Sequence, residues 1–249
     1  MSDHAVPEPR LAVAGLTVTF GGLTALDDVG FEVASGEVVA LIGPNGAGKT
    51  TVFNAVCGLV RRRGEIRLDG APVPTRTSDL TAHGVARTLQ GLGLFEGLTV
   101  RENVLLPVAS YRDAAARTAA QLTAHDLTTV ADRPVAALPY PVRKRVALAR
   151  ALVTDPRLLL LDEPAGGLGH DDIDALGEII RATADTGCAV LLVEHHVDFV
   201  MRVADSIVVL DFGKVIARGL PEDVRVDPLV EEAYLGVKAT TPTIAKTTV

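Results

Sequence analysis

"GPNGAGKT", Gly43 to Thr50, is the stretch on which the reading of this 249-residue chain turns. It has the spacing G-x-x-x-x-G-K-[ST] and stands between a buried-strand pattern, "GEVVALIG", and a helical pattern running from Lys49 to about Gly58. In such a loop, here Gly43, Pro44, Asn45, Gly46, Ala47 and Gly48, the glycines let backbone N–H groups curl around a phosphate. The helix that follows adds partial positive charge from its N-terminus. Lys49 would reach the β- and γ-phosphates of ATP, Thr50 would offer its hydroxyl to Mg²⁺, and Thr51 completes the nucleotide-binding set. A glycine-rich turn that merely started a helix would need neither Lys49 nor Thr50 in those places.

A phosphate loop needs a carboxylate at the end of a second buried strand, and "LLLLDEP" supplies Asp162 followed by Glu163. Asp162 would hold Mg²⁺ through water, and Glu163 would polarise the attacking water as general base. Taken alone, the pair could equally be a helix N-cap with acidic first-turn residues; beside the phosphate loop that alternative loses weight. Further strand patterns occur at "LAVAGLTVTF", "GEIRLDG", "CAVLLVEH" and "SIVVLDFGKVIARG", the last two separated by the helical "HVDFVMRVAD". Strands alternating with helices imply an α/β fold with a mainly parallel sheet. From about Val100 to Val153 the pattern is mainly helical, punctuated by Pro107, Pro134, Pro139 and Pro141, and there is no internal repeat. "KATTPTIAKTTV" at the end has little to bury and is expected to be a disordered tail.

Composition removes several classes of function. The formal charge of −7 argues against a nucleic-acid partner, whose phosphates need Lys and Arg. Cys57 and Cys188 have no CxxC spacing and read as reduced core thiols rather than a disulfide or zinc site. A cytosolic location fits those thiols; no apolar run approaches the ~20 residues needed to span a bilayer, and "MSDHAVPEPR" lacks the apolar stretch of a signal peptide, so the chain is not expected to cross a membrane by itself. Of the two basic clusters, Arg61 to Arg63 read as a solvated turn.

With these residues in order, the chain resembles the ATP-binding-cassette (ABC) ATPases over nearly its whole length. The resemblance implies a P-loop NTPase (RecA-like) core with a mainly parallel sheet, an antiparallel β subdomain and a helical subdomain. It places one nucleotide-binding domain over 1–237, with the core at about 1–90 and 155–220, the helical subdomain at about 91–154, and the tail at 238–249. It gives Phe20, in "VTFGGLTALDDV", the place of the aromatic that stacks on adenine. Gln90, in "ARTLQGLGLFEGLTVRENV", takes that of the glutamine that senses Mg²⁺ and the attacking water and touches the membrane subunit. His195, in "LLVEHH", takes that of the switch histidine that hydrogen-bonds the γ-phosphate. Singly, Phe20 could be core, Gln90 a surface polar residue and His195 a strand-end histidine; their joint order argues otherwise. His196 beside His195 invites a metal pair, but neighbours on an extended strand point to opposite faces, so no metal site is expected there.

"GVARTLQ", "LFEGLTVRENV", "DEPAGGL", "VEHHVDFVMRVAD" and "AYLG" are most similar to the ATPase subunits of branched-chain amino-acid importers. Urea and amide importers share these features, as in part do lipopolysaccharide-export ATPases. The helical stretch between Asn103 and Leu138 is short for that group. The resemblance also implies permease subunits in the membrane, an extracytoplasmic substrate-binding protein indirectly, and a peripheral place on the cytoplasmic face. A regulatory subunit that holds ATP without turnover, or a soluble P-loop protein outside transport, are the competing readings.

One departure is functional. ABC ATPases sandwich each ATP between the phosphate loop of one subunit and an L-S-G-G-Q signature of another, nearer L-A-Y-G-Q in this group. The position here reads Leu138, Pro139, Tyr140, Pro141, Val142. Proline has no N–H to donate to a phosphate, and Pro139 and Val142 bring neither hydroxyl nor amide. Pro141 suits the first residue of a helix whose apolar stripe is Val142, Val146, Ala149 and Val153. Arg143, Lys144 and Arg145 oppose the dipole of that helix, so either Arg143 substitutes for the missing donors or the three form a solvated basic face. Gly169 stands where the dimer-crossing loop commonly has Asp, and Asp171 or Asp172 is expected to cap the next helix. A heterodimer with a second, different ATPase subunit would tolerate this one-sided loss.

Overall fold

The computed structural model describes residues 8–89 and 91–235. The expectations for Gln90 and for the 238–249 tail therefore lie outside the described residues.

Five strands form the parallel part of the central sheet: β3 (Val38–Ile42), β6 (Val85–Arg87), β7 (Leu158–Asp162), β8 (Ala189–Val193) and β9 (Ser206–Asp211). With β10 (Lys214–Gly219) as an antiparallel edge, the order is β10-β9-β3-β8-β7-β6. Every residue of β3, β7 and β8 is buried. That burial is why they read as unbroken Val and Leu runs and not as alternating strands. Leu158 and Leu160 join one core with α1 (Lys49–Val56), while Leu159 and Leu161 join another with α5 (His170–Asp185) and α6 (Val197–Val203) on the opposite face. Two helices at the end of the described chain, α7 (Pro221–Arg225) and α8 (Pro228–Leu235), cover Ile207 and Val209 through Val224 and Val230.

A second, antiparallel sheet has the order β2-β1-β4-β5, built from β1 (Leu11–Phe20), β2 (Leu23–Val33), β4 (Arg63–Leu68) and β5 (Ala71–Pro72). Its Leu11, Val13, Leu16 and Val18 pack into the same core as α1. The strand β2 is absent from the sequence reading. Its signal, the two-residue Gly21-Gly22 turn joining paired Phe20 and Leu23, is offset by Asp27-Asp28, where the alternation breaks and Asp28 takes a positive φ of 55°.

The helical region has its own core, in which Val100, Val104, Leu122, Leu127, Val146, Ala149 and Val153 meet. Thr99 and Glu102 form a capping box at the start of α2 (Val100–Leu105). The helix α3 (Ala114–Ala124) follows, and α4 (Tyr140–Leu152) closes the region. The apolar stripe expected on α4 is present, with Val142 partly buried against this core. Its other side, Leu148, Ala151 and Leu152, faces the sheet core, so α4 welds the two layers. Its first residue is Tyr140, not Pro141, which takes the second position and leaves Pro139 as the cap.

Leu160 is fully buried at the centre of β7. Leu160→Ala is expected to cost about 3 kcal/mol of stability, read as a lowered urea midpoint at unchanged slope. A loss under about 1 kcal/mol would contradict this description of the core.

Candidate active site

The phosphate loop leaves the end of β3 with Gly43 at φ +148°, where an added Cβ would collide with the Leu210 carbonyl oxygen on neighbouring β9. Only glycine fits there. The loop tip is open: Asn45 and Gly46 are exposed, and a Cβ on Gly46 would meet nothing within 4 Å. Lys49, 7 % exposed, donates from Nζ to the carbonyl oxygens of Gly43 (2.6 Å) and Pro44 (3.0 Å). Burial lowers its pKa, against the opposing pull of the Glu163 and Asp162 carboxylates. Thr50 is exposed and Thr51 half-buried on the first turn of α1.

Asp162, 6 % exposed, ends β7 and pairs with Arg87 Nη2 at 2.9 Å. Arg87, from β6, also donates to Asn54 Oδ1 (3.1 Å) and lies 5.4 Å from the Phe53 ring centre. Thr88 Oγ1 accepts from the Asp162 N–H at 3.3 Å. Glu163 follows at a φ of 49°, the left-handed region that non-glycine residues seldom occupy. His195 Nδ1 lies 3.9 Å from Glu163 Oε1, and the exposed imidazole faces the same opening. Lys49, Asp162, Glu163 and His195 are thus brought together at the carboxyl ends of β3, β7 and β8. Phe20 stands half-exposed at the end of β1.

Around α4 the structure corrects two expectations. Arg143, Lys144 and Arg145 are half-buried and not a solvated face. Arg143 pairs with Glu96 at 3.2 Å, Lys144 Nζ donates to the carbonyls of Glu163 (3.1 Å) and Pro164 (2.5 Å), and Arg145 Nη1 to that of His125 (3.5 Å). Oxygens of the chain itself offset the unfavourable dipole. Tyr140 and Pro139 are exposed at the helix start, and Tyr140 packs on Gly167 of the loop after Glu163. Gly169, with no side-chain cap, is the N-cap of α5; Asp171 and Asp172 lie in the first turn, where they favour the dipole instead of capping.

The histidines supply a third correction. Strand β8 stops at Val193, so the alternation of an extended strand no longer governs the pair, and the His195 and His196 rings approach to 4.5 Å between centroids.

Four positions escaped the sequence reading as site residues: Arg87, Thr88, Lys144 and Glu194. Glu194 is fully buried; its Oε1 accepts from the Ala165 N–H (2.6 Å) and Oε2 from those of His195 (3.0 Å) and His196 (3.4 Å). Its signal was available, because "CAVLLVEHH" ends a buried run in a carboxylate just as "LLLLDE" does.

The family model described as ABC transporter matches residues 26–166, spanning the phosphate loop, the signature position and the Asp162–Glu163 pair. The chain belongs to the ABC transporter family. It is 40 % identical over 252 residues to the high-affinity branched-chain amino acid transport ATP-binding protein BraF of Pseudomonas aeruginosa, covering 92 % of this chain and 98 % of that one. It is 37 % identical over 255 residues to the corresponding LivG of Escherichia coli, with the same coverage. A solved ATP-binding cassette of an ABC transporter in its ADP conformation superposes with a TM-score of 0.82 at 26 % identity, over 92 % of this chain and 100 % of that chain. The chain is therefore a nucleotide-binding ATPase of the P-loop class, as the sequence implied. Among the described residues no helix is long and apolar enough to cross a membrane.

Taking away the Arg87 guanidinium would leave Asp162 buried without its strong partner. Arg87→Met is expected to destabilise the chain by about 3 kcal/mol, measured by urea unfolding, and an unchanged midpoint would show the pair to be dispensable.

Proposed function

We propose that this chain is the ATP-hydrolysing subunit of an importer for a branched-chain amino acid or a similar small polar solute. It would sit on the cytoplasmic face against integral-membrane permease subunits and serve an extracytoplasmic binding protein indirectly. The names of BraF and LivG support the solute class. We read 1–237 as a single nucleotide-binding domain.

The observation that carries the reading is the meeting of Lys49, Asp162, Glu163 and His195 on one opening. A nucleotide triphosphate fits it: the loop tip is open, the ammonium is buried beside two carboxylates, and Thr50 stands exposed on the first turn of α1. Mg²⁺ bound there would neutralise phosphate charge and orient the oxygens. In our assignment the loop N–H groups and Lys49 bind the phosphates, Thr50 and Asp162 hold the metal, and Arg87 holds the Asp162 carboxylate in place. Glu163 takes the proton of the attacking water, and His195 hydrogen-bonds the terminal phosphate. Phe20 offers its open ring face to adenine.

The signature side differs. With no N–H on Pro141 and no polar side chain at Pro139 or Val142, this chain gives little to a phosphate held by another subunit. We therefore assign it a heterodimer in which its own nucleotide is completed by the signature of a second, different ATPase subunit.

The purified chain alone is expected to bind ATP and turn it over slowly. In the complex isolated through a tag on this chain, turnover should rise and should vanish in Glu163→Gln with nucleotide binding kept. Fast Glu163-dependent turnover by the isolated chain would rule out the asymmetric pair. Loss of one stacked ring is worth about 1–2 kcal/mol, so Phe20→Ala should raise KM for ATP roughly tenfold at nearly constant kcat. An unchanged KM would remove Phe20 from the adenine site.

A further inference from the structure

The backbone from Glu163 to Ala165 is gripped at both of its peptide units. On one side Lys144 Nζ, from the helix that begins at the signature, donates to the Glu163 carbonyl at 3.1 Å and to the Pro164 carbonyl at 2.5 Å. On the other side the wholly buried Glu194 takes the Ala165 N–H at 2.6 Å, with its second oxygen on the N–H groups of His195 and His196. Two residues on, Tyr140 of the signature lies against Gly167, and Lys144 Nζ stands 5.5 Å from the Tyr140 ring centre. All of this surrounds a glutamate whose φ of 49° is a conformation that neighbouring structure must impose. Glu194 itself has a structural cost: a buried carboxylate is retained only where it is fully hydrogen-bonded, and here its partners are the backbone of the two catalytic loops.

We infer that Lys144 and Glu194 are positioning residues that fix the backbone of Glu163 from two sides, and that through Lys144 the signature helix of this chain controls the catalytic glutamate of the same chain. The inference rests on the reading of Glu163 as general base. Two chemical features support the division of labour. The ammonium is a compact donor with three N–H groups and can serve two carbonyls at once. The carboxylate, with two oxygens, can tie the loop after Glu163 to the loop that carries His195. The signature helix thereby has a second task. Pro139 and Tyr140 lie exposed at its start, where the proposed function puts a neighbouring subunit, and one turn further on it holds its own active site. A shift of α4 driven by the neighbour's nucleotide would move Lys144, and Glu163 with it.

The test uses the transporter complex purified through a tag on this chain, with Lys144→Met, Lys144→Arg, Glu194→Gln and the Lys144→Met/Glu194→Gln pair. Misplacement of a base costs rate without costing substrate affinity, so Lys144→Met and Glu194→Gln should each lower kcat on the order of tenfold at unchanged KM for ATP. The double variant should be little worse than the worse single, because both residues hold one segment. Lys144→Arg, which keeps donors, should recover part of the loss. The clamp is overturned by kcat within about twofold of the parent, by an effect confined to KM, or by lower complex yield and melting temperature with unchanged kcat per intact complex. Glu163→Gln separates the two readings. If it abolishes turnover while Lys144→Met and Glu194→Gln leave kcat within about twofold of the parent, only the clamp fails; if turnover survives it, the role of Glu163 fails and the clamp with it.

Discussion

Strands buried on both faces can present polar groups only at their ends, and this constraint organises the molecule. Along β3, β7 and β8 no residue is exposed, so every chemical group that those strands carry is displaced to their carboxyl termini. Parallel pairing brings the three termini to one edge, with Asp162 opposite Val193 and Leu41 opposite both Val193 and Val208. The phosphate loop, the carboxylate pair and the histidine loop are therefore neighbours because the sheet is buried, whatever their separation in sequence. From within the sheet, Arg87 on β6 enters this edge and pairs with the buried Asp162 carboxylate.

The edge has a second consequence. A site built on strand ends and loops is open on the side away from the sheet, and here Asn45, Gly46 and Thr50 lie exposed. Such a site excludes water only when another surface covers it. The surface that this chain itself could contribute to a like site elsewhere begins at Pro139 and Tyr140, and it is poor in donors. Donors are concentrated at the phosphate loop and sparse around Pro139 and Pro141, and it is on this asymmetry that our proposal of an unlike partner subunit rests.

Sequence alone disclosed most of this because the deciding features are local. The phosphate loop is contiguous, and its glycines, Lys49 and Thr50 are dictated by spacing. The run of leucines before Asp162 announces a buried strand with a polar end. What stayed hidden depends on contacts between distant segments. Arg87 lies 75 positions from Asp162, and nothing in "GVARTLQ" reveals that its guanidinium turns toward that carboxylate. The strand β2 was obscured by Asp27-Asp28, where hydrophobic alternation gives way to an irregular pairing. The rule that adjacent strand residues diverge was sound, but His195 and His196 are past the end of β8, and a boundary error of two residues set their rings on opposite faces where they in fact approach each other.

The basic triplet at the start of α4 shows why helix electrostatics must be weighed against tertiary acceptors. Three cations in the first turns of a helix face its positive end, a placement that costs a few tenths to about 1 kcal/mol each at an exposed terminus. They persist here because each reaches an oxygen outside the helix: a carboxylate for Arg143, and main-chain carbonyls for Lys144 and Arg145. Charge-assisted hydrogen bonds to partly buried carbonyls are worth more than the dipole takes away. Within the subunit the three cations are thus met by the chain's own oxygens, one carboxylate and three main-chain carbonyls. Lys144 ends on the carbonyls of Glu163 and Pro164, at the glutamate held in left-handed geometry at the end of β7. A residue that opposes its own helix and is buried for the sake of two carbonyls stabilises the arrangement of the loop more than the helix.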